Sequence, residues 1–286
     1  MKEMHKRPGQ PATEQLPGDT TFMNAEWLAS LSHELRNPLA AIKGYTTLLL
    51  RHHGQLSSEE QYELLQSIAH GSDQLAYVIN MLQEVADFEA NLVAFRPLSI
   101  DINQLVHEVV MDMQRDDQPA GIAHRAIQIS LIPPTNETEE YNIAADQLLL
   151  RSLFIYLLEN AHKFSPEQNP IEITITHVST VARETLPEYL HADPTFLQQP
   201  LLELRIQDRG IGIPAEDLER IFERFQRVNL TLTREVNGLG LGLTLCKYIV
   251  ALHHGLIWAE STLGTGSTFH VLLPGKRNTM EKDTLQ

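Results

Sequence analysis

Residues 32–39 read SHELRNPL: a histidine, an acid and an amide, then a proline, inside a segment whose apolar spacing is helical. Leu28, Leu31, Leu35, Pro38, Ile42, Tyr45 and Leu49 alternate spacings of three and four, which is a heptad seam. A second seam runs through Leu65, Ile68, Ser72, Leu75, Ile79, Leu82 and Ala86. Between the two, Gly54 can stop one helix and Ser57 or Ser58 can cap the next. Two long helices with a short loop make an antiparallel hairpin. A lone hairpin buries one stripe per helix, whereas two copies close a four-helix core, so the pattern predicts a homodimer. Packing of the hairpin against the rest of its own chain is the alternative.

His33 falls two residues after one seam position and two before the next, which turns it outward. A neutral imidazole is a nucleophile at physiological pH, and a neighbouring carboxylate such as Glu34 can hold its useful tautomer. Asn37 lies one turn beyond His33 on the same face, where its amide can position a water. Pro38 cannot donate to the Glu34 carbonyl and is expected to bend the helix. Taken alone, these side chains also fit an ordinary solvated face. HELRN begins like the zinc helix HExxH, but Asn37 stands where the second histidine ligand is needed, which excludes that metalloprotease site.

After Asn91 the pattern changes to short strand-like runs at 127–132, 171–178, 201–208, 256–260 and 267–273, with helix-like stretches near 101–114, 146–163 and 240–253. This half reads as an α/β layer. Residues 180–200 carry three prolines between two strand signals and are expected to be an extended connection.

The chemistry of this half points to a nucleotide. In LLENAHKFSP, Asn160 and Lys163 sit at i and i+3 near a helix end, an amide suited to Mg²⁺ and an ammonium suited to phosphate. In DRGIGIP, Asp208 ends a strand, where a carboxylate can accept from the exocyclic amine of adenine. Gly210 and Gly212 let the chain turn where a side chain would meet a flat ligand. In NGLGLGLTLCKYIV, Gly238, Gly240 and Gly242 open a helix whose free N–H groups favour phosphate. Neither glycine run fits the P-loop or the dinucleotide fingerprint.

Composition narrows the classes further. A length of 286 residues allows about two domains. The formal net charge of -15 disfavours nucleic acid and anionic membrane surfaces. The single cysteine, Cys246, lies in an apolar run and rules out a disulfide framework, so a cytoplasmic setting is expected. No run approaches the length of a membrane span.

Together the motifs resemble the transmitter module of two-component sensor histidine kinases over residues 22–274. SHELRNPL is similar to the family's phosphoacceptor box, LLENAHKFSP to its N box, DRGIGIP to its first glycine box, IFERFQRV to its F box and GLGLGL to its second glycine box. The resemblance implies a helical-hairpin domain at 22–90, forming a four-helix bundle as a dimer. An α/β sandwich ATP-binding domain of the GHKL type follows at 91–275, between a disordered leader at 1–21 and a flexible tail at 276–286.

It further implies that His33 accepts the γ-phosphoryl of ATP with Glu34 as base and orienter, and that Asn37 serves removal of phosphate from a response regulator. Asn160 would ligate Mg²⁺, Lys163 would contact phosphate and Asp208 would read adenine. Gly210 and Gly212 would line the base pocket, with Thr268 near the adenine. Gly240, Leu241 and Gly242 would offer backbone contacts to the phosphates, and Ile213 to Gly238, with Phe222 and Phe225, would form a mobile lid. Two positions depart from the usual pattern: Tyr156 replaces an N-box asparagine, and Leu239 replaces a common hydroxyl residue. The short leader leaves no room for an input domain, so the chain is expected to be a fragment or to take its signal from a separate sensor. An ATPase of the gyrase, Hsp90 and MutL type shares the asparagine and glycine boxes but lacks the histidine hairpin. A non-catalytic nucleotide-binding scaffold is the other alternative.

Overall fold

Ser57 fixes the turn between the first two helices. Its hydroxyl accepts from the Glu60 N–H at 3.2 Å, and the Glu60 carboxylate accepts from the Ser57 N–H at 2.7 Å, a reciprocal capping box. The computed structural model, which describes residues 25–52, 54–115, 126–132, 142–166, 169–226, 228 and 239–275, thus begins with α1 (Ala25–His52) and α2 (Ser58–Glu89). The leader, the tail and, within the expected lid, residues 227 and 229–238, Gly238 among them, lie outside the described residues.

The two helices approach closely where Pro38 meets Gly71. Both are buried, and a β-carbon on Gly71 would stand 3.3 Å from the Pro38 carbonyl oxygen and 3.0 Å from Ile42 Cγ1. Helix α1 continues through Pro38. In α2 the buried positions are Gly71, Val78, Met81 and Val85, so the expected second seam is not the face turned to the chain's own neighbours. Leu65 and Ile79 of that seam remain 55% and 50% exposed. Helix α2 carries two apolar stripes, one covered within the chain and one facing outward.

The second half contains a two-stranded ribbon and a five-stranded sheet. The ribbon, β1 (Leu98–Asp101) against β3 (Asn142–Ala145), is antiparallel and too short to show an alternating sequence signal. The sheet has the order β2-β4-β5-β7-β6, with β2 (Ile127–Ile132) parallel to β4 (Ile171–Val178). Strands β5 (Leu201–Gln207), β6 (Leu256–Thr262) and β7 (Gly266–Pro274) pair antiparallel. Alternate residues, such as Leu202, Leu204 and Ile206 of β5 and Phe269, Val271 and Leu273 of β7, join the core with α3 (Ile102–Met113), α4 (Gln147–Phe164) and α6 (Gly242–Leu252). The expected α/β layer is present at the predicted places.

The segment 180–200 is not the extended connection expected from its prolines. It holds a 3-10 turn at Arg183–Thr185 and a helical turn α5 (Pro194–Leu197). Pro194 stands at the start of α5, where a missing N–H costs nothing, and the Asp193 carboxylate accepts from the Thr195 N–H at 2.8 Å. Leu186 and Leu197 then pack with Leu201, Trp258 and Leu272 as a second apolar cluster on the sheet face opposite the helices.

Candidate active site

His33 is exposed on α1, Glu34 beside it is half-buried, and Asn37 one turn on is exposed. The outward placement expected for the histidine is therefore present, and Pro38 is the anchor beneath it.

The N-box helix is set by a hub at its start. The Asp146 carboxylate accepts from the N–H groups of Leu148 and Leu149 at 3.1 and 3.3 Å and from that of Arg96 at 2.9 Å. The Asp146 N–H donates to His253 Nε2 at 3.0 Å, while His253 Nδ1 donates to the Ile249 carbonyl at 2.8 Å. Acceptance at Nε2 requires a neutral ring with its proton on Nδ1, and burial pushes the His253 pKa down. From this start α4 buries Leu150, Leu153, Phe154, Leu157, Leu158 and Ala161, which leaves Asn160 half-buried and Lys163 exposed near its end.

The helix end is tied to the first glycine box. The Phe164 carbonyl accepts from the Ile211 N–H at 3.2 Å, and a β-carbon on Gly210 would stand 2.2 Å from that oxygen. Gly212 has φ 71°, and a β-carbon there would stand 2.2 Å from the Thr262 carbonyl oxygen. These glycines are required by the protein's own backbone and not, as expected, by a flat ligand alone. Asp208 is buried, and its Oδ1 accepts from the Gly210 N–H at 2.8 Å and the Ser267 N–H at 3.3 Å. The Asp208 N–H donates in turn to the Ser267 carbonyl at 2.9 Å.

The β7 residue bonded to Asp208 is thus Ser267, the neighbour of Thr268. Side chains alternate along a strand, so Ser267 shares the helix-facing side with Phe269 while Thr268, opposite Gln207, faces the other way. Counting back from the buried Phe269 and Val271 gives the same answer from sequence.

The second glycine box meets the F box. Gly240 has φ 67°, a β-carbon on it would stand 2.5 Å from the Gln226 carbonyl oxygen, and the Phe225 N–H donates to the Gly240 carbonyl at 3.2 Å. Phe222 is buried, edge-on to Phe269 at 6.5 Å between centroids. Within the expected lid it is therefore packed against β7. Leu241 is buried, and α6 begins at Gly242 with no side-chain cap on its first turn. At Gly242 a β-carbon would meet nothing closer than 3.9 Å, its neighbours being Met81 and Tyr156. Of Gly210, Gly212, Gly240 and Gly242, this is the one with room in front of it. Leu239 is buried in the core, so the departure there exchanges a hydroxyl for packing.

Sequence reasoning did not anticipate how α2 joins the two halves. Tyr77 of α2 donates to Glu159 at 2.5 Å, and Tyr156 of α4 donates to Glu84 of α2 at 2.7 Å. The Tyr77 residue keeps 41% of its surface while its hydroxyl is tucked against Glu159. Burial, with the facing carboxylates, pushes both phenols far above their ordinary range, so they stay donors. Glu89 accepts from Arg224 of the F box and from Tyr248 of α6, whose ring lies 5.6 Å from that of Phe88.

Two family models match consecutive parts of the chain. Residues 23–91 match the His Kinase A (phospho-acceptor) domain, and residues 145–277 match the histidine kinase-, DNA gyrase B- and HSP90-like ATPase. The chain belongs to the sensor histidine kinases. It carries their transmitter module, with the phosphoacceptor model ending where the hairpin ends.

Among curated histidine kinases, it is 30% identical over 249 residues to the circadian input-output histidine kinase CikA of Synechococcus elongatus, covering 87% of this chain and 30% of that protein. It is 30% identical to the adaptive-response sensory kinase SasA of Prochlorococcus marinus, covering 86% of this chain and 57% of SasA. It is 28% identical to the sensor protein GacS of Pseudomonas syringae, covering 89% of this chain and 25% of GacS. The chain therefore spans a third or less of CikA and GacS and little more than half of SasA.

Two solved structures share the fold. Full-length ShkA in complex with AMPPNP aligns with TM-score 0.55 and 24% identity over 87% of this chain and 45% of ShkA. The Acinetobacter baumannii histidine kinase AdeS aligns with TM-score 0.57 and 18% identity over 85% of this chain and 97% of that one. Among the described residues no helix is long and apolar enough to cross a membrane.

Proposed function

We propose that this transmitter is an ATP:protein-histidine phosphotransferase that phosphorylates His33 and passes the group to an aspartate of a response regulator. The observation that carries this reading is the joining, by α2, of an exposed His33 to a folded set of nucleotide boxes in one chain.

Asp208, held at one carboxylate oxygen by two backbone N–H groups, would read the adenine amine, with Ser267 beside it. The uncapped N–H groups at Gly242 and the exposed Lys163 would meet phosphates. Mg²⁺ usually keeps waters and phosphate oxygens and needs only one or two protein oxygens. The half-buried Asn160 amide on α4 supplies one such oxygen, so the residues fit the ion, which when bound would neutralise charge on the phosphates. A ring nitrogen of His33 attacks the γ-phosphorus: a P–N bond forms, the bond to the ADP oxygen breaks, and the imidazole proton passes to Glu34 or water. Positioning and electrostatics supply most of the catalysis. Asn37, on the same exposed face, would place the water that later removes phosphate from the regulator.

Two copies are expected to pair through the outward stripe of the hairpin. Leu28, Leu39 and Leu50 recur every eleven residues on α1 and are 42%, 55% and 76% exposed, and Leu65 and Ile79 line α2. An apolar face of this kind is covered in a four-helix core. The acidic surface and the single buried cysteine suit the reducing cytoplasm.

Incubation with γ-labelled ATP and Mg²⁺ tests the reading. The parent chain acquires an acid-labile, base-stable label, and His33→Ala does not; label on His33→Ala would remove His33 from the role of acceptor.

A further inference from the structure

Tyr77 and Glu84 lie seven residues apart, on one face of α2. Opposite them, Tyr156 and Glu159 lie three apart on α4. Each helix supplies one phenol and one carboxylate, so the pairs Tyr77 with Glu159 and Tyr156 with Glu84 run in opposite directions across the interface. Two crossed contacts of this kind fix both the height and the rotation of α4 on α2. The patch between them is apolar, with Val78, Met81 and Val85 buried in the core that includes Tyr156 and Leu241.

The height at which α4 is held is that of the phosphoacceptor. Pro38 and Gly71 mark a common level of the antiparallel hairpin. His33 is five residues before the first and Tyr77 six residues after the second, so at 1.5 Å per residue the two stand within about 2 Å of each other along the bundle axis. Leu31 and Leu35, which flank His33, pack against the same core as Met81 and Tyr156. Glu159, bonded to Tyr77, is the immediate neighbour of Asn160, and Tyr156 is one turn before it. Tyr156 and Met81 also border the open space in front of Gly242. The contacts that join the halves therefore lie beside Asn160, the residue assigned to the metal, and beside the open space at Gly242, where phosphate is assigned.

We infer that the crossed pairs Tyr77 with Glu159 and Tyr156 with Glu84 are positioning contacts that hold the nucleotide site at the height of the phosphoacceptor histidine on the bundle. The inference rests on the kinase reading above. The step is the same exchange of the ADP oxygen for a ring nitrogen of His33, with the imidazole proton leaving to Glu34 or water. The tyrosine that departs from the usual N box is then the partner of Glu84.

Autophosphorylation kinetics of the full chain test it. The double variant Tyr77→Phe, Glu84→Ala lowers kcat for autophosphorylation about tenfold while KM for ATP stays within twofold. The single variant Glu84→Gln keeps an acceptor for Tyr156 and keeps most of the rate. An unchanged kcat in the double variant, or a KM that rises as much as kcat falls, overturns the positioning role. A parent chain that takes no label overturns the kinase reading itself, and the inference with it.

Discussion

The carbonyl oxygen of Phe164 lies 2.2 Å from the point at which a β-carbon on Gly210 would stand. The last residue of α4 and the first glycine box are thereby pressed together, and the Ile211 N–H donates to the same oxygen at 3.2 Å. Asn160 and Asp208, which come from different elements, keep their spacing through this contact.

Gly210→Ala and Gly242→Ala are therefore expected to fail differently. At Gly210 backbone must move, a change of the overpacking kind that costs about 1–3 kcal/mol, and the nucleotide site is displaced with it. At Gly242 the nearest neighbours are 3.9 Å away, and alanine is the better helix former. Thermal unfolding without nucleotide should show a lowered Tm for Gly210→Ala only, while binding of a fluorescent ATP analogue should weaken in both. Equal losses of Tm would contradict the steric difference.

His253 makes the fold sensitive to acid. Its Nε2 accepts from Asp146 and its Nδ1 donates to Ile249, so only the neutral ring fits, and burial lowers its pKa. The unfolded chain binds a proton near the ordinary histidine pKa of about 6.5, and the folded chain does so only at lower pH. Between those two values the unfolded state holds more protons, so stability is full above about pH 6.5 and falls as the pH drops towards the folded pKa. Urea unfolding at pH 7.5 and 5.5 should show this loss in the parent. His253→Leu should lose about 1–3 kcal/mol at pH 7.5, because the buried Asp146 N–H loses its acceptor. It should also lack the part of the pH dependence due to this ring; an identical pH dependence in both chains would exclude His253 as its source.

The parts of the fold legible in the sequence were those with a period. Helix α1, helix α2 and strand β4 follow their patterns to within a few residues, and the nucleotide boxes could be placed because glycines and a strand-ending acid mark turns. What was not legible depends on partners distant in sequence. The α2 stripe through Val78, Met81 and Val85 competes with the neighbouring stripe through Leu65 and Ile79, and only the presence of α4 and α6 decides which is covered within the chain. The crossed tyrosine and glutamate pairs span 82 and 72 residues, and no local pattern announces them.

The segment 180–200 was misread for the same reason. Its prolines suggest an open strand-to-strand link, but Leu186 and Leu197 find Trp258 and Leu272 on the far face of the sheet. Leu197 is 4% exposed, so Leu197→Ala should destabilise the nucleotide domain by about 2–4 kcal/mol. Quenching of Trp258 fluorescence by acrylamide should rise along with it. A variant with parental stability would show that this segment lies on the sheet without contributing to its core.

Ser267 and Thr268 separate two views of the adenine pocket. Ser261 Oγ donates to the Gly266 carbonyl at 2.8 Å and accepts from the Ile213 N–H at 2.8 Å. Its hydrogen is therefore spent, and in the 3.0 Å contact between Ser261 Oγ and Ser267 Oγ the serine at 267 is the donor. The Ser267 hydroxyl thus belongs to a chain that links the first glycine box, β6 and β7, next to the N–H that holds Asp208 at 3.3 Å. Thr268 has no place in that chain and faces the other side of the sheet. Ser267→Ala is expected to weaken ATP binding about fivefold, the worth of one hydrogen bond, and Thr268→Ala to change it less than twofold. Titration of both variants with a fluorescent ATP analogue measures the two constants directly, and a larger loss for Thr268→Ala would return the adenine contact to the residue that sequence reasoning chose.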